Sequence, residues 1–350
     1  MRLDRRTLLA GGSILSASTL FARTASSQTG STGAGYAGDM AARPAFSVAP
    51  VVLPAPERLV DLELRISAPV TGTDLPIILL SHGHGPSNFL SSLRGYGPLA
   101  DFWAGYGFVV IQPTHLDSAT LPFRGSDNPE APLFWRSRAQ DMSFILDNLN
   151  VLEEMVPQIR GRVDREKVAI AGHSMGGYTA SLLLGARTID PVSGAEVNLF
   201  DPRFKAGVIM SAPGLGGDAI SNNAIEHYPV FSGTDFSNLA TPSLVAYGTA
   251  DNDPTQHLTV RGSDWYKDPY LHSQGGKVLL GILGAGHSLG GVSGYDAKEA
   301  DDENPEMVKV VQWLTLGFLR QQLLGDDAVW NTARAHLDGM ANPLGQIETK

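Results

Sequence analysis

The chain has 350 residues, 43% apolar and 18% charged, with 39 glycines, no cysteine and a net charge of −10. That apolar content permits a large core and excludes a disordered chain, and the acidic balance argues against a sequence-independent grip on nucleic acid. The missing cysteines exclude disulfides, cysteine-ligated zinc, iron–sulfur clusters and a thiol nucleophile.

Residues 1–27 carry Arg2, Asp4 and the pair Arg5-Arg6, then an apolar stretch to Ala22 and small residues at Ala25-Ser26-Ser27. A charged start, an apolar segment too short to span a bilayer and a small-residue end predict an export signal. The paired arginines followed by Leu8 and Leu9 resemble a twin-arginine signal, an address read by a receptor and not an anchor. The expectation is a periplasmic or secreted protein with no stable membrane anchor. Without the four Arg and one Asp of this segment the net charge becomes −13. Residues 28–56, rich in Gly, Ala, Ser and Pro, predict a flexible arm, and residues 57–350 a single domain.

Within that domain Leu62, Leu64 and Ile66 alternate with charged residues, the pattern of a half-buried strand. Nearly continuous apolar runs come next, at 77–81, 108–112, 168–171, 206–211, 243–247 and 278–283. Runs apolar on both faces suit parallel strands covered by helices. Helical segments are predicted at 98–105, 135–152, 178–186 and 305–324, the last with Met307, Val311, Leu314 and Phe318 on one face. The alternation predicts an α/β fold: one doubly wound, mostly parallel sheet with right-handed crossovers, its ligands beyond the carboxyl ends of the strands. Residues 222–241 are irregular, either a lid or a long loop.

Two segments fit G-x-S-x-G, the sharp turn that lifts a serine hydroxyl above a sheet: Gly172-His173-Ser174-Met175-Gly176 and Gly286-His287-Ser288-Leu289-Gly290. Ser174 lies between a predicted strand and a predicted helix, whereas Ser288 is followed by Gly290, Gly291, Ser293 and Gly294, a loop composition. Ser174 is therefore the predicted nucleophile. A serine needs a base, and the base needs a group that fixes its tautomer. In this fold the chain order is Ser, Asp or Glu, His. His287 comes after the run 278–283 and is the predicted base. Asp251 comes after the run 243–247 and is the predicted acid, with Asp253 as the alternative. Charge developing on an acyl oxygen calls for fixed backbone N–H donors. Met175, next to the nucleophile, supplies one, and the loop Ser81-His82-Gly83-His84-Gly85 the other, through the His84 N–H. The rival reading, a metal held by His82 and His84, lacks a third ligand nearby. Phe89, Trp135, Trp265 and Tyr266 are candidates to line an acyl or alcohol pocket, the alternative being that they are core or lid packing.

With these residues placed, the chain from about residue 48 to 350 resembles the α/β-hydrolases. More narrowly, the segments 81–85, 107–114, 138–149, 168–177 and 276–291 resemble the platelet-activating-factor acetylhydrolase and chlorophyllase-like group, which includes proteins labelled as predicted dienelactone hydrolases. The resemblance implies a cofactor-free serine esterase acting on small-molecule or polymeric esters. It maps the triad onto Ser174, Asp251 and His287, with oxyanion donors at Met175 and His84. Dienelactone hydrolase proper uses a cysteine, which is absent here. The segment 172–177 is also reminiscent of bacterial cutinases and polyester hydrolases, whose C-terminal disulfide has no counterpart. The alternatives are a peptidase or amidase, or a polyester depolymerase, using the same triad.

Overall fold

Why the apolar runs are continuous is visible in the sheet they build. The computed structural model describes residues 35–36, 40–252, 257–294 and 303–350, and residues 34–350 cluster as one compact unit. The predicted leader, 1–27, lies outside the described residues. In chain order the elements are strands β1 (Ala45–Leu53), β2 (Leu62–Pro69) and β3 (Leu75–Ser81), helix α1 (Gly97–Gly105), strand β4 (Val109–Pro113), helices α2 (Trp135–Asp147) and α3 (Leu149–Met155), and strand β5 (Val163–His173). Next are helix α4 (Met175–Leu183), the hairpin β6 (Arg187–Ile189) and β7 (Glu196–Asn198), strand β8 (Phe204–Met210), helix α5 (Asn222–His227) and strand β9 (Ser243–Gly248). The chain continues with α6 (Asp268–Leu271), β10 (Lys277–Ile282), α7 (Pro305–Leu324), α8 (Ala328–Asp338) and β11 (Gly345–Thr349).

Among the described residues nine strands pair in the order β1-β2-β4-β3-β5-β8-β9-β10-β11. The inner run from β4 to β10 is parallel, while β1 on β2, β2 on β4 and β11 on β10 are antiparallel. Each inner strand feeds both faces. Ile77 and Leu79 of β3 pack with Met142 and Ile145 of α2, Leu152 of α3 and Ala180 of α4, whereas Ile78 and Leu80 pack with Trp103 of α1, Leu314 of α7 and Trp330 of α8. A strand buried on both faces has no polar period, in keeping with the unbroken runs. Strand order reverses between β3 and β5, and the crevice beyond their carboxyl ends is where open α/β sheets bind ligands.

Helix α7 has the predicted apolar face and is capped at both ends, by the Asn304 side chain accepting from Glu306 N and Met307 N, and by Gly325 at φ 66°. The predicted helix 135–152 is two helices. At Asn148 the side-chain amide donates to Phe144 O at 2.9 Å, and the backbone leaves helical geometry. The predicted arm 28–56 needs a correction, because Ala45–Leu53 is an edge strand of the sheet. Pro50 disguised it. A proline rarely sits in a strand interior, and here the register with β2 shifts between Val48 and Val51, so the ring falls at a bulge on the open edge. Residues 222–241 form α5 and a tight turn whose Val230 and Phe231 pack on Tyr178 and Met175 of α4.

Val51 and Leu53 are buried on the sheet. A chain shortened to 57–350 loses that burial, about 3–6 kcal/mol at roughly 1.5–3 kcal/mol per side chain. Its guanidinium midpoint is expected to fall well below that of the full chain; an unchanged midpoint would return 45–53 to the status of an arm.

Candidate active site

Strand β5 ends and helix α4 begins around a single residue, Ser174, whose backbone sits at φ 56°, ψ −122°. An L-residue seldom holds that conformation, and it costs about 1–3 kcal/mol unless its surroundings impose it. The surroundings here are close backbone contacts. A Cβ on Gly172 would strike Gly176 O, and one on Gly176 would strike Ser81 O and His82 O. The glycines of the motif thus let α4 start directly against β5 and the end of β3. Ser288 stands in a different setting: its carbonyl accepts from Gly291 N and Val292 N, a tight turn that no helix continues.

His287 lies beyond β10, its Nδ1 2.8 Å from Asp251 Oδ2. Asp251 lies beyond β9 and is buried. A carboxylate only accepts, so Nδ1 carries the proton and Nε2 is the basic nitrogen. The two loops are stapled together by Ala250 N to Ala285 O at 2.9 Å, Thr249 N to Ile282 O at 3.0 Å and Gly284 N to Thr249 Oγ1 at 2.8 Å. The histidine loop also rests on the serine turn. His173 Nε2 lies 2.7 Å from His287 O, and the two rings are 5.0 Å apart between centroids. The alternative acid, Asp253, lies outside the described residues.

Beyond β3, a Cβ built on Gly83 would come 3.4 Å from Ser174 Cβ, so this loop faces the serine. Two peptide planes fix where its amides point. Gly83 O accepts from His82 Nδ1 at 2.7 Å, and in a trans peptide the His84 N–H points the opposite way. That N–H has no hydrogen-bond partner among the described residues. Likewise Ser174 O accepts from Tyr178 N at 3.1 Å inside α4, which turns the Met175 N–H out of the helix N-terminus.

Sequence reasoning missed the buried polar cluster that holds this loop. Arg138, fully buried on α2, bonds Asp117 and the His82 carbonyl, and its Nε donates to Thr179 Oγ1 at 3.0 Å. Asp117 also takes the His84 ring through Nδ1 at 2.7 Å. Burial raises the Asp117 carboxyl, but Arg138 and the His84 hydrogen bond outweigh it and hold the group well below the usual carboxylate range. Next to it, Asp141 joins Arg58 and the His115 ring, and burial pushes its pKa up to about 6 against the pull of Arg58. His82 Nε2 accepts from His115 N at 3.0 Å. Both ring nitrogens of His82 are thus committed to the protein, which leaves no site for the metal of the rival reading. The only signal in the sequence is Asp117 just beyond the carboxyl end of β4, since an arginine inside a helix predicts solvent exposure.

Of the four pocket candidates, Trp265 is not at a mouth. It is fully buried in the core, its indole N–H donating to Leu215 O at 2.8 Å. Tyr266 is buried beside His287, 5.5 Å from its ring between centroids. Trp135 packs with Met175, and half-buried Phe89 lies against Gly294 of the histidine loop. Among the described residues no His, Asp and Glu side chains gather as a metal cluster, and no helix is long and apolar enough to cross a membrane.

Sheet order, serine turn and loop placement together define the α/β-hydrolase fold. A protein from Klebsiella pneumoniae assigned as a dienelactone hydrolase superposes with a TM-score of 0.50 at 16% identity, over 80% of this chain and all of that one. In sequence the chain is similar to platelet-activating factor acetylhydrolases, 29% identical to the bovine protein over 178 residues and 27% to the guinea pig (Cavia porcellus) protein over 173. These matches cover 41% and 40% of this chain and only 36% and 35% of the relatives, so the chain spans little more than a third of their length. No family model matches.

Burial, with the nearby His287 charge adding to it, pushes the His173 pKa down to about 3. Unfolded, it would titrate near 6.5. Between those values the unfolded state binds more protons, so stability falls as pH drops from about 6.5 toward 3, by at most about 1.4 kcal/mol per pH unit for one proton. His82 and His115, depressed in the same sense by burial, add to this acid sensitivity. His173→Gln takes up no proton and is expected to flatten the slope in denaturation series between pH 7 and pH 4; equal slopes for both proteins would mean that His173 is not held neutral.

Proposed function

We propose that the chain is a serine hydrolase of carboxylic esters that works through an acyl-enzyme. The observation that carries this reading is the packing of two loops. The residue before Ser174 holds the peptide carbonyl of His287, whose ring is in turn bonded to Asp251. Ser174, Asp251 and His287 follow β5, β9 and β10 in that chain order, which supports reading them as the nucleophile, acid and base of this fold.

In the proposed cycle His287 Nε2 takes the Ser174 hydroxyl proton as Oγ adds to the ester carbonyl. Asp251 stabilises the imidazolium. The His84 and Met175 N–H groups receive the oxyanion. Collapse expels the alcohol, which leaves with the proton from His287. Water then repeats the sequence on the acyl-enzyme, the proton returning to Ser174 Oγ and the carboxylic acid departing. Water is the second nucleophile, and every group that moves a proton in this cycle belongs to the chain. The similarity to the acetylhydrolases supports a small acyl group; Met175, next to the serine, Trp135, which packs with Met175, and Tyr266, beside the His287 ring, are the side chains proposed to bound it. Export by the twin-arginine-like leader is part of the same proposal and rests on the sequence of residues 1–27.

Ser174→Ala and His287→Ala are each expected to lower kcat on p-nitrophenyl esters by a factor on the order of 10⁶, and the double variant to lose little more. A fluorophosphonate probe should label Ser174. An adduct on Ser288, no adduct, or loss of turnover in chelator would reject the mechanism. Faster cleavage of matching anilides than of esters would shift the assignment to an amidase, and an acyl-length series would rank acetyl against longer or polymeric substrates.

A further inference from the structure

Four groups, three of them on buried residues, form a hydrogen-bond chain with only one possible direction. The His287 carbonyl can only accept, so the proton on the 2.7 Å contact belongs to His173 Nε2. Neutral His173 then offers Nδ1 as an acceptor, filled by the Tyr96 hydroxyl at 3.0 Å. The Tyr96 oxygen in turn accepts the Gly83 N–H at 3.0 Å. His173 and Tyr96 are both buried, so water does not compete for these bonds. Tyr96 is itself anchored twice: its backbone N–H donates to Ser293 O at 2.8 Å, and its residue opens α1 at φ 63°.

We propose that His173 and Tyr96 are positioning residues which lock the base loop to the oxyanion loop, so that the His287 ring and the His84 amide are held in register by one buried relay. The inference rests on the esterase reading and adds two residues to it. The relay enters at the two backbone groups that matter. His173 grips the carbonyl of the residue whose ring is the base. Tyr96 grips the N–H of Gly83, and the Gly83 carbonyl on the far side of that residue is taken by His82. With both ends of Gly83 bonded, the peptide that carries the His84 N–H cannot rotate. Gly83 is also closely packed, because a Cβ there would lie 3.0 Å from the Tyr96 oxygen.

Neither residue touches a reacting atom in the mechanism, so their loss should appear in the rate of the chemical step and not in substrate affinity. Misplacing reacting groups by about 1 Å can cost about 10²-fold. Tyr96→Phe keeps the ring and deletes both bonds; His173→Phe keeps the bulk and deletes both. Each is expected to lower kcat by about 10–100-fold with KM within about threefold, and fluorophosphonate labelling of Ser174 should slow in parallel. Because one chain of bonds is broken in either case, the double variant should be no slower than about twice the worse single variant. His173→Gln, whose amide has both a donor and an acceptor, should recover most of the rate. Thermal unfolding of each variant confirms that it is folded at the assay temperature. An active parent with a Tyr96→Phe variant of unchanged kcat, or singles whose losses multiply in the double, overturns the relay and leaves the esterase reading intact. A parent that neither turns over esters nor is labelled overturns both.

Discussion

The constraint on which this molecule depends is that a strand must become a helix within one residue. Ser174 can hold its strained backbone only because α4 starts in contact with the end of β3 and with β5 itself, and that contact is possible only with hydrogen atoms where Gly172 and Gly176 would otherwise carry Cβ atoms. The same approach brings the His82–His84 loop over the serine and aims the first N–H of α4 outward. Strain at one residue and an ordered array of amides are two results of one close packing.

Such packing puts polar backbone in a dry place, and the molecule compensates with side chains. Arg138 satisfies the His82 carbonyl and, through Thr179, reaches the Met175 carbonyl, to which Thr179 donates at 3.0 Å. Asp117 balances the arginine charge, because an unpaired buried guanidinium would be far costlier than the pair. His82, His115 and His173 serve as neutral linkers, each giving one proton and taking one. Ionisable residues here work mostly as rigid hydrogen-bonding parts.

Much of this is legible in the sequence. Strands buried on both faces announce themselves as unbroken apolar runs, and Ser174 differs from Ser288 in having a helix-forming segment, not a glycine-rich loop, on its carboxyl side. Asp251 and His287 stand out because strand ends are where this fold keeps its chemistry. Other features are hidden for physical reasons. Pro50 masks β1, since a bulge that accommodates proline cannot be seen without the partner strand. β11 has only Ile347 turned toward the core among polar neighbours, too weak a pattern for an edge strand. Asn148 looks like an ordinary helical residue until its amide is seen bonding back to Phe144. Arg138 reads as a surface residue because its partners, His82, Asp117 and Thr179, come from elements far away in the chain. Trp265 misleads because an aromatic near a reactive loop looks the same in sequence whether it faces the substrate or the core.

The sheet margins are unequal neighbours of the chemistry. On one side β1 is separated from β3, whose loop faces the serine, by both β2 and β4. On the other, β11 pairs directly with β10, and Leu283 N bonds Leu344 O only four residues before His287. Strand β11 is therefore the outer wall of the His287 loop, and a disturbance there reaches the histidine across one ladder of hydrogen bonds. At the opposite margin two strands intervene in the ladder, but Arg58, between β1 and β2, bonds Asp141 directly, so that edge reaches the buried polar cluster through one side chain.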